Sequence, residues 1–237
     1  MKIGILQCGH LDGDIEKKHG KYDELYAVLL SGNGFVFQTY KVVDNEFPKS
    51  VDECDGWLLT GSRHGAYDPL QWIVVLEDFI RLSYERNIPI TGICFGHQIM
   101  AQALGGKVEK FSEGWGIGHT QYTLTHDGSY VDLLALHQDQ VVETPPDTKV
   151  IASTDFCAYA GLAYKGSALS YQPHPEFTPE FMRDIIKQKI ELGLPKSIGE
   201  PALAQIGTQY DSARIASQLA NFYKRYEADK PNAQAAE

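Results

Sequence analysis

Apolar residues in this chain fall into short runs that alternate with longer amphipathic stretches, the pattern of strands and helices in succession. Lys2 to Cys8 reads as a buried strand, and the polar stretch Gly9 to Gly20 that follows reads as a loop. Tyr22, Leu25, Tyr26 and Leu29 recur at i, i+3, i+4 and i+7 and predict a helix ended by Gly32-Asn33-Gly34. Phe35 to Val43, rich in aromatic and β-branched residues, predicts a second strand and with it a right-handed β-α-β unit. Gly56-Trp57-Leu58-Leu59 predicts a third strand, and Trp72, Ile73, Leu76, Phe79 and Ile80 form the stripe of another helix. The apolar run Ile88 to Ile93 is then a fourth strand, and Gln98 to Leu104 a helix closed by Gly105-Gly106.

From Lys107 onward the pattern changes to short alternating runs, Lys107 to Phe111, His119 to Thr125 and Val131 to Val142, which predict antiparallel strands appended to a parallel sheet. Val150 to Thr154, Cys157 to Tyr164 and Ala168 to Gln172 read as a strand and a hairpin turning at Lys165-Gly166. Thr178-Pro179-Glu180 starts a helix, with the threonine as N-cap and proline in the first turn, and Gly193 ends it. Leu194 to Gln209 reads as a connector interrupted by Pro and Gly, and Ile215, Leu219, Phe222, Tyr223 and Tyr226 predict a last amphipathic helix. Residues 1–227 are therefore expected to form one domain, with 228–237 as a polar, disordered tail.

A formal net charge of −10 argues against nucleic acid and anionic membranes as partners, because both would repel the chain. The four cysteines, Cys8, Cys54, Cys94 and Cys157, have no C-x-x-C spacing, so neither a zinc site nor a disulfide framework is suggested. His119, His126 and His137 likewise lack metal-ligand spacing, and no metal or cofactor is expected. The first residues read as a strand and not as a signal peptide, and no run approaches the length of a membrane span, so a cytoplasmic location is expected.

The stretch Thr91 to Gln98 carries the candidate chemistry. Cys94 falls where the fourth strand turns into a helix, and Gly92 and Gly96 flank it two positions away on either side. A strand that folds sharply into a helix strains the corner residue and brings its neighbours too close for side chains, as in the G-x-S-x-G nucleophile elbow. The helix that follows also directs its positive end at residue 94. A free cysteine is more often a small core hydrophobe, but this context favours a nucleophile. In Gln172-Pro173-His174-Pro175-Glu176, Pro175 keeps His174 extended, so His174 and Glu176 share a face. An imidazole oriented by a carboxylate is the base that a thiol nucleophile requires.

These two motifs resemble the triad of the class I glutamine amidotransferases, and most of all the branch similar to the glutaminase domain of GMP synthetase, which includes the γ-glutamyl peptidases. The likeness runs from about Val51 to Phe177. It implies Cys94, His174 and Glu176 as the catalytic triad, and an oxyanion hole formed by backbone amides at Ser62 and Phe95. Gly61, Gln98, Trp115, His137 and Asp139 are the substrate contacts that it implies. Where the family usually has a Gly-Gly pair at the oxyanion turn, this chain has Gly61-Ser62. Arg63 and His64 follow at the mouth, where they could meet a substrate carboxylate. Pattern and resemblance together predict an α/β fold: a flavodoxin-like, doubly wound, mostly parallel sheet with helices on both faces and a small antiparallel addition.

The implied activity is hydrolysis of the γ-glutamyl amide of glutamine or a γ-glutamyl compound. The chain holds no Gly-x-x-x-x-Gly-Lys phosphate loop, which favours a self-sufficient hydrolase. Two alternatives are a glutaminase subunit that delivers ammonia to a separate synthetase, and a non-catalytic binding protein on the same fold.

Overall fold

The structure is a computed structural model that describes residues 1–228, so the expected tail, from residue 229 on, lies outside the described residues. The chain opens with β1 (Lys2–Leu6), α1 (Gly13–His19), α2 (Tyr22–Leu29), β2 (Val36–Tyr40) and β3 (Gly56–Leu59). Then come α3 (Gln71–Glu85), β4 (Ile90–Ile93) and α4 (Phe95–Ala103). A run of strands follows: β5 (Lys107–Lys110), β6 (Gly116–Leu124), β7 (Tyr130–His137), β8 (Asp139–Glu143), β9 (Thr148–Ser153), β10 (Gly161–Tyr164) and β11 (Ala168–Tyr171). Helices α5 (Pro179–Glu191), α6 (Lys196–Gln205) and α7 (Ser212–Ala228) complete the described chain.

A nine-stranded sheet in the order β2-β1-β3-β4-β11-β10-β9-β6-β7 forms the centre. Pairings from β2 through β11 are parallel, and those from β11 to β7 are antiparallel. The parallel part has the doubly wound order, in which loops at the carboxyl ends of the strands enclose a crevice. Strands β3 and β4 are buried along their whole length, as a sheet covered on both faces requires. One face packs on α2, α5 and α7 through Tyr26, Phe181, Ile186, Leu219 and Tyr223. The other packs on α3 and α4 through Trp72, Leu76, Ile80, Ile99 and Met100. No helix of the described residues is long and apolar enough to cross a membrane.

The α/β, doubly wound, mostly parallel architecture agrees with the pattern, and the structure corrects three details. Gly9 to Gly20 is not all loop, since α1 forms within it around a single buried residue, Ile15. One apolar residue makes no stripe; this helix is held by its ends. Lys18 reaches Glu180 at 2.9 Å and Asp184 at 2.7 Å, while the Gly20 N–H bonds the Glu16 carbonyl at 2.9 Å. The expected connector after Leu194 contains α6 despite the internal Pro201. Tight packing outweighs the lost hydrogen bond: a Cβ on Gly199 would lie 2.6 Å from the Ile190 side chain, so the helix backbone sits directly on α5. Finally, Val131 to Val142 is two strands. The chain breaks at Gln138, and β8 leaves the main sheet to pair with β5 in a separate antiparallel ribbon.

Candidate active site

Strand β4 delivers Cys94 to the carboxyl edge of the sheet, between β3 and β11. Cys94 has φ 54° and ψ −106°, a backbone region that side-chain-bearing residues rarely occupy, and α4 begins at the next residue. Its N–H donates to the Tyr171 carbonyl at 2.9 Å, and its carbonyl accepts from the Gln98 N–H at 3.0 Å, so the strained corner is held on both sides. The flanking glycines are sterically required. A Cβ on Gly92 would stand 2.4 Å from the Gly96 backbone, and one on Gly96 would stand 2.5 Å from the Leu59 carbonyl oxygen.

The His174-Glu176 segment leaves β11 and crosses toward β7, where the His174 N–H donates to the Leu134 carbonyl at 2.8 Å. His174 Nδ1 lies 2.7 Å from Glu176 Oε1. A carboxylate accepts, so Nδ1 carries the proton and Nε2 is the atom left for chemistry. Phe177 stacks flat on the imidazole, with centroids 4.0 Å apart and planes 4° from parallel. Burial works against a charged imidazole here, but the negative charge of Glu176, followed by that of Cys94, outweighs it and raises His174 to about 10. Nε2 faces Cys94 and makes no hydrogen bond to any other group among the described residues.

Tyr26, on α2, ties two parts of the site together. Its hydroxyl donates to Glu176 Oε1 at 2.8 Å and accepts from the Gly61 N–H at 3.0 Å. The turn after β3 is thereby fixed to the carboxylate. Gly61 has no room for a side chain, because a Cβ would lie 2.2 Å from the Tyr22 hydroxyl and 3.3 Å from His174 Cε1. With the Gly61 amide occupied, the next amide along the turn is that of Ser62. Neither the Ser62 nor the Phe95 amide makes a backbone hydrogen bond among the described residues.

Two cavities open at Cys94. One, of about 190 Å³, brings Cys94 together with His174, Ser62 and Tyr22. The second, of about 270 Å³, brings Cys94 and Ser62 together with Gln98, Trp115, His137 and Asp139. Arg63 and Lys189 border both, and His64 borders the second. Gly61 and the Phe95 side chain line neither cavity; Phe95 packs on Trp72, centroids 5.6 Å apart. Gln98 is buried and its Nε2 is engaged, donating to the Asp139 carbonyl at 2.8 Å and to Gln172 Oε1 at 3.1 Å. Its side chain therefore braces α4 against β8 and the end of β11, and its amide oxygen alone is left to accept. Burial lowers His137 to about 4 and keeps it neutral, while Asp139, raised by burial, accepts from the Tyr67 hydroxyl at 3.1 Å.

Lys189 was not legible as a site residue in the sequence. It lies on α5, in an ordinary amphipathic helix, and only the fold brings it to Cys94, with its ammonium 5.5 Å from the centre of the Trp115 ring. Tyr26 escaped notice for the same reason, as it reads as one member of a core stripe. Among the described residues no cluster of His, Cys, Asp and Glu is placed to hold a metal ion.

Residues 35–191 match the family described as glutamine amidotransferase class-I. Among curated proteins, the chain is 28% identical to gamma-glutamyl peptidase 4 of Arabidopsis thaliana over 231 residues, covering 90% of this chain and 92% of that protein. It is also 32% identical to a glutamine-hydrolysing GMP synthase of a Janthinobacterium species, over 56% of this chain and 29% of that protein. Of solved structures, a glutamine amidotransferase from Methylobacillus flagellatus shares the fold with a TM-score of 0.70 at 18% identity, covering 96% of this chain and 94% of that one. With the elbow, the fold and the family match in agreement, the chain belongs to the class I glutamine amidotransferases.

Proposed function

We propose that this enzyme hydrolyses the γ-glutamyl amide bond of glutamine or a γ-glutamyl compound through a glutamyl thioester on Cys94. The observation that carries the reading is the convergence of a positive-φ cysteine, at the start of a helix, with an imidazole held at 2.7 Å by a buried carboxylate. In the reactive state His174 already carries the proton of the Cys94 thiol, and the sulfur attacks the γ-carbonyl carbon as the carbonyl electron pair moves to oxygen. The backbone amides of Ser62 and Phe95 hold that oxyanion. As the tetrahedral intermediate collapses, the C–N bond breaks and His174 Nε2 returns its proton to the departing nitrogen. Water, deprotonated by the same nitrogen, then attacks the thioester, releasing glutamate and restoring the thiol. Glu176 keeps the imidazole in one tautomer and stabilises its charged form.

Similarity over nearly the full length of a gamma-glutamyl peptidase supports an enzyme that acts on its own. The GMP synthase likeness supports a second reading, in which the same half-reaction supplies ammonia to a synthetase partner. One assay separates them: glutamate release by the purified chain from L-glutamine, a γ-glutamyl dipeptide and a γ-glutamyl amine, each compared with Cys94→Ala. Turnover that the variant loses by more than a thousandfold, as loss of a catalytic nucleophile does, supports the autonomous hydrolase. Absence of turnover from all three removes that reading in favour of a partner-dependent glutaminase or a binding protein.

A further inference from the structure

The chemistry of amide cleavage distinguishes the two cavities that meet at Cys94. The departing nitrogen has to be protonated by His174. His174 lines the smaller cavity and not the larger, whereas Gln98, His137 and Asp139 line only the larger. The acyl half of the substrate therefore belongs in the larger cavity and the amine half in the smaller. We propose that the smaller cavity is a leaving-group subsite that selects γ-glutamyl compounds whose amine half combines apolar bulk with a carboxylate. This rests on the γ-glutamyl hydrolase reading above.

Size, polarity and charge each point the same way. The cavity measures about 190 Å³, while a single water-sized molecule such as ammonia needs only about 10–15 Å³. Leu11 and Ile15 from the loop and helix after β1, Phe177 beside the imidazole, Ile185 from α5 and Leu192 just past its end supply apolar wall. Ammonia gains nothing from such a wall, whereas apolar substituents are stabilised in proportion to the area they bury. Leu192 stands 74% exposed at the rim, without cover in the free protein.

Arg63 and Lys189 make no ion pair among the described residues, and together they outnumber Asp12, the one carboxylate on this wall. Lys189 is half-buried, and burial pulls its pKa down despite the charges of Cys94 and Asp12. The Trp115 face is a weak partner for a desolvated cation, and a substrate carboxylate is a stronger one. The larger cavity does not need Lys189 for the amino-acid head group: it has Lys110 for a carboxylate, and Asp68 and Asp139 for an ammonium.

The test compares kcat/KM for γ-glutamyl-phenylalanine, γ-glutamyl-benzylamide and L-glutamine in the wild type and in Lys189→Met and Lys189→Glu. The wild type is expected to prefer them in that order. Lys189→Met is expected to lower the ratio of γ-glutamyl-phenylalanine to γ-glutamyl-benzylamide turnover roughly tenfold, the scale of a lost charged hydrogen bond. Lys189→Glu is expected to favour a γ-glutamyl diamine over γ-glutamyl-phenylalanine. An unmoved ratio in both variants overturns the role of Lys189. Efficient turnover of glutamine, with no gain from either amine half, overturns the subsite and leaves the hydrolase reading standing. No turnover of any substrate by the wild type removes the hydrolase reading, and the subsite with it.

Discussion

Glu176 Oε1 receives two donors at once, the His174 imidazole at 2.7 Å and the Tyr26 hydroxyl at 2.8 Å. This residue pair makes stability depend on pH in a definite direction. The ordinary histidine value is 6.5 and the folded one about 10, so the folded state holds a proton that the unfolded state has released. The stabilisation is complete below pH 6.5 and is lost as pH rises through about 10. Urea midpoints of the wild type should therefore fall between about pH 6.5 and 7.5, below the range in which most thiols and tyrosines of the unfolded chain ionise. Glu176→Gln removes the main charge that favours imidazolium and should abolish that slope; a variant that kept the slope would show it to arise elsewhere. Tyr26→Phe leaves the buried Gly61 N–H without its acceptor and should lower stability by about 1–3 kcal/mol. The same variant is expected to depress kcat more than KM, since the phenol touches Glu176 and lines neither cavity. None of this was readable from Tyr26 itself, which pairs with a residue 150 positions away. The corner at Cys94 and the pairing of His174 with Glu176 were readable because glycine and proline beside them restrict the backbone locally, and such restrictions are written in adjacent letters.

At the scale of elements, the elbow works because β4, α4 and β3 approach more closely than side chains permit. Gly92→Ala and Gly96→Ala should each cost about 1–3 kcal/mol or more by overpacking, since backbone atoms lie 2.4 and 2.5 Å from the added carbon. Gly13→Ala is the contrasting case. It lies in α1 with nothing within 4 Å of a Cβ, so it should gain about 0.5–1 kcal/mol by restricting the unfolded chain. Denaturant melts of the three variants check the contrast. Helices α2, α3 and α7 carry periodic apolar positions, α5 a Thr-Pro start and a glycine stop, and the parallel strands short apolar or β-branched runs, and each was legible for that reason. The two missed helices, α1 and α6, lack a stripe, and each is stabilised by contacts with α5 that no local pattern encodes. The division of residues 131–142 into two strands was hidden too, because alternation continues across the break at Gln138 while the partner strand changes.

Across the whole molecule, the four thiols have different fates. Cys8, Cys54 and Cys157 are buried away from both cavities, and burial raises all three, Cys157 to about 12. Cys94 alone borders open space. A mild alkylating agent near neutral pH is therefore expected to label one thiol per native chain and four after denaturation, as counted by intact mass; rapid labelling of a second native thiol would contradict this burial. The last helix closes the far side of the sheet, where the Tyr223 hydroxyl donates to the Trp57 carbonyl at 2.7 Å and meets Thr91 Oγ1 at 2.5 Å. That contact anchors β3 and β4, the two strands that lead into the Gly61-Ser62 turn and the elbow. The proposed reactive groups follow the ends of three neighbouring strands, β3, β4 and β11, whereas part of the apolar wall beside them comes from α1 and α5, clamped to each other through Asp184. On the proposed function, the groups that break the bond and those that choose among amides thus come from different layers of the fold. Exchanging that pair of helices would give an enzyme with the same reaction and a different diet.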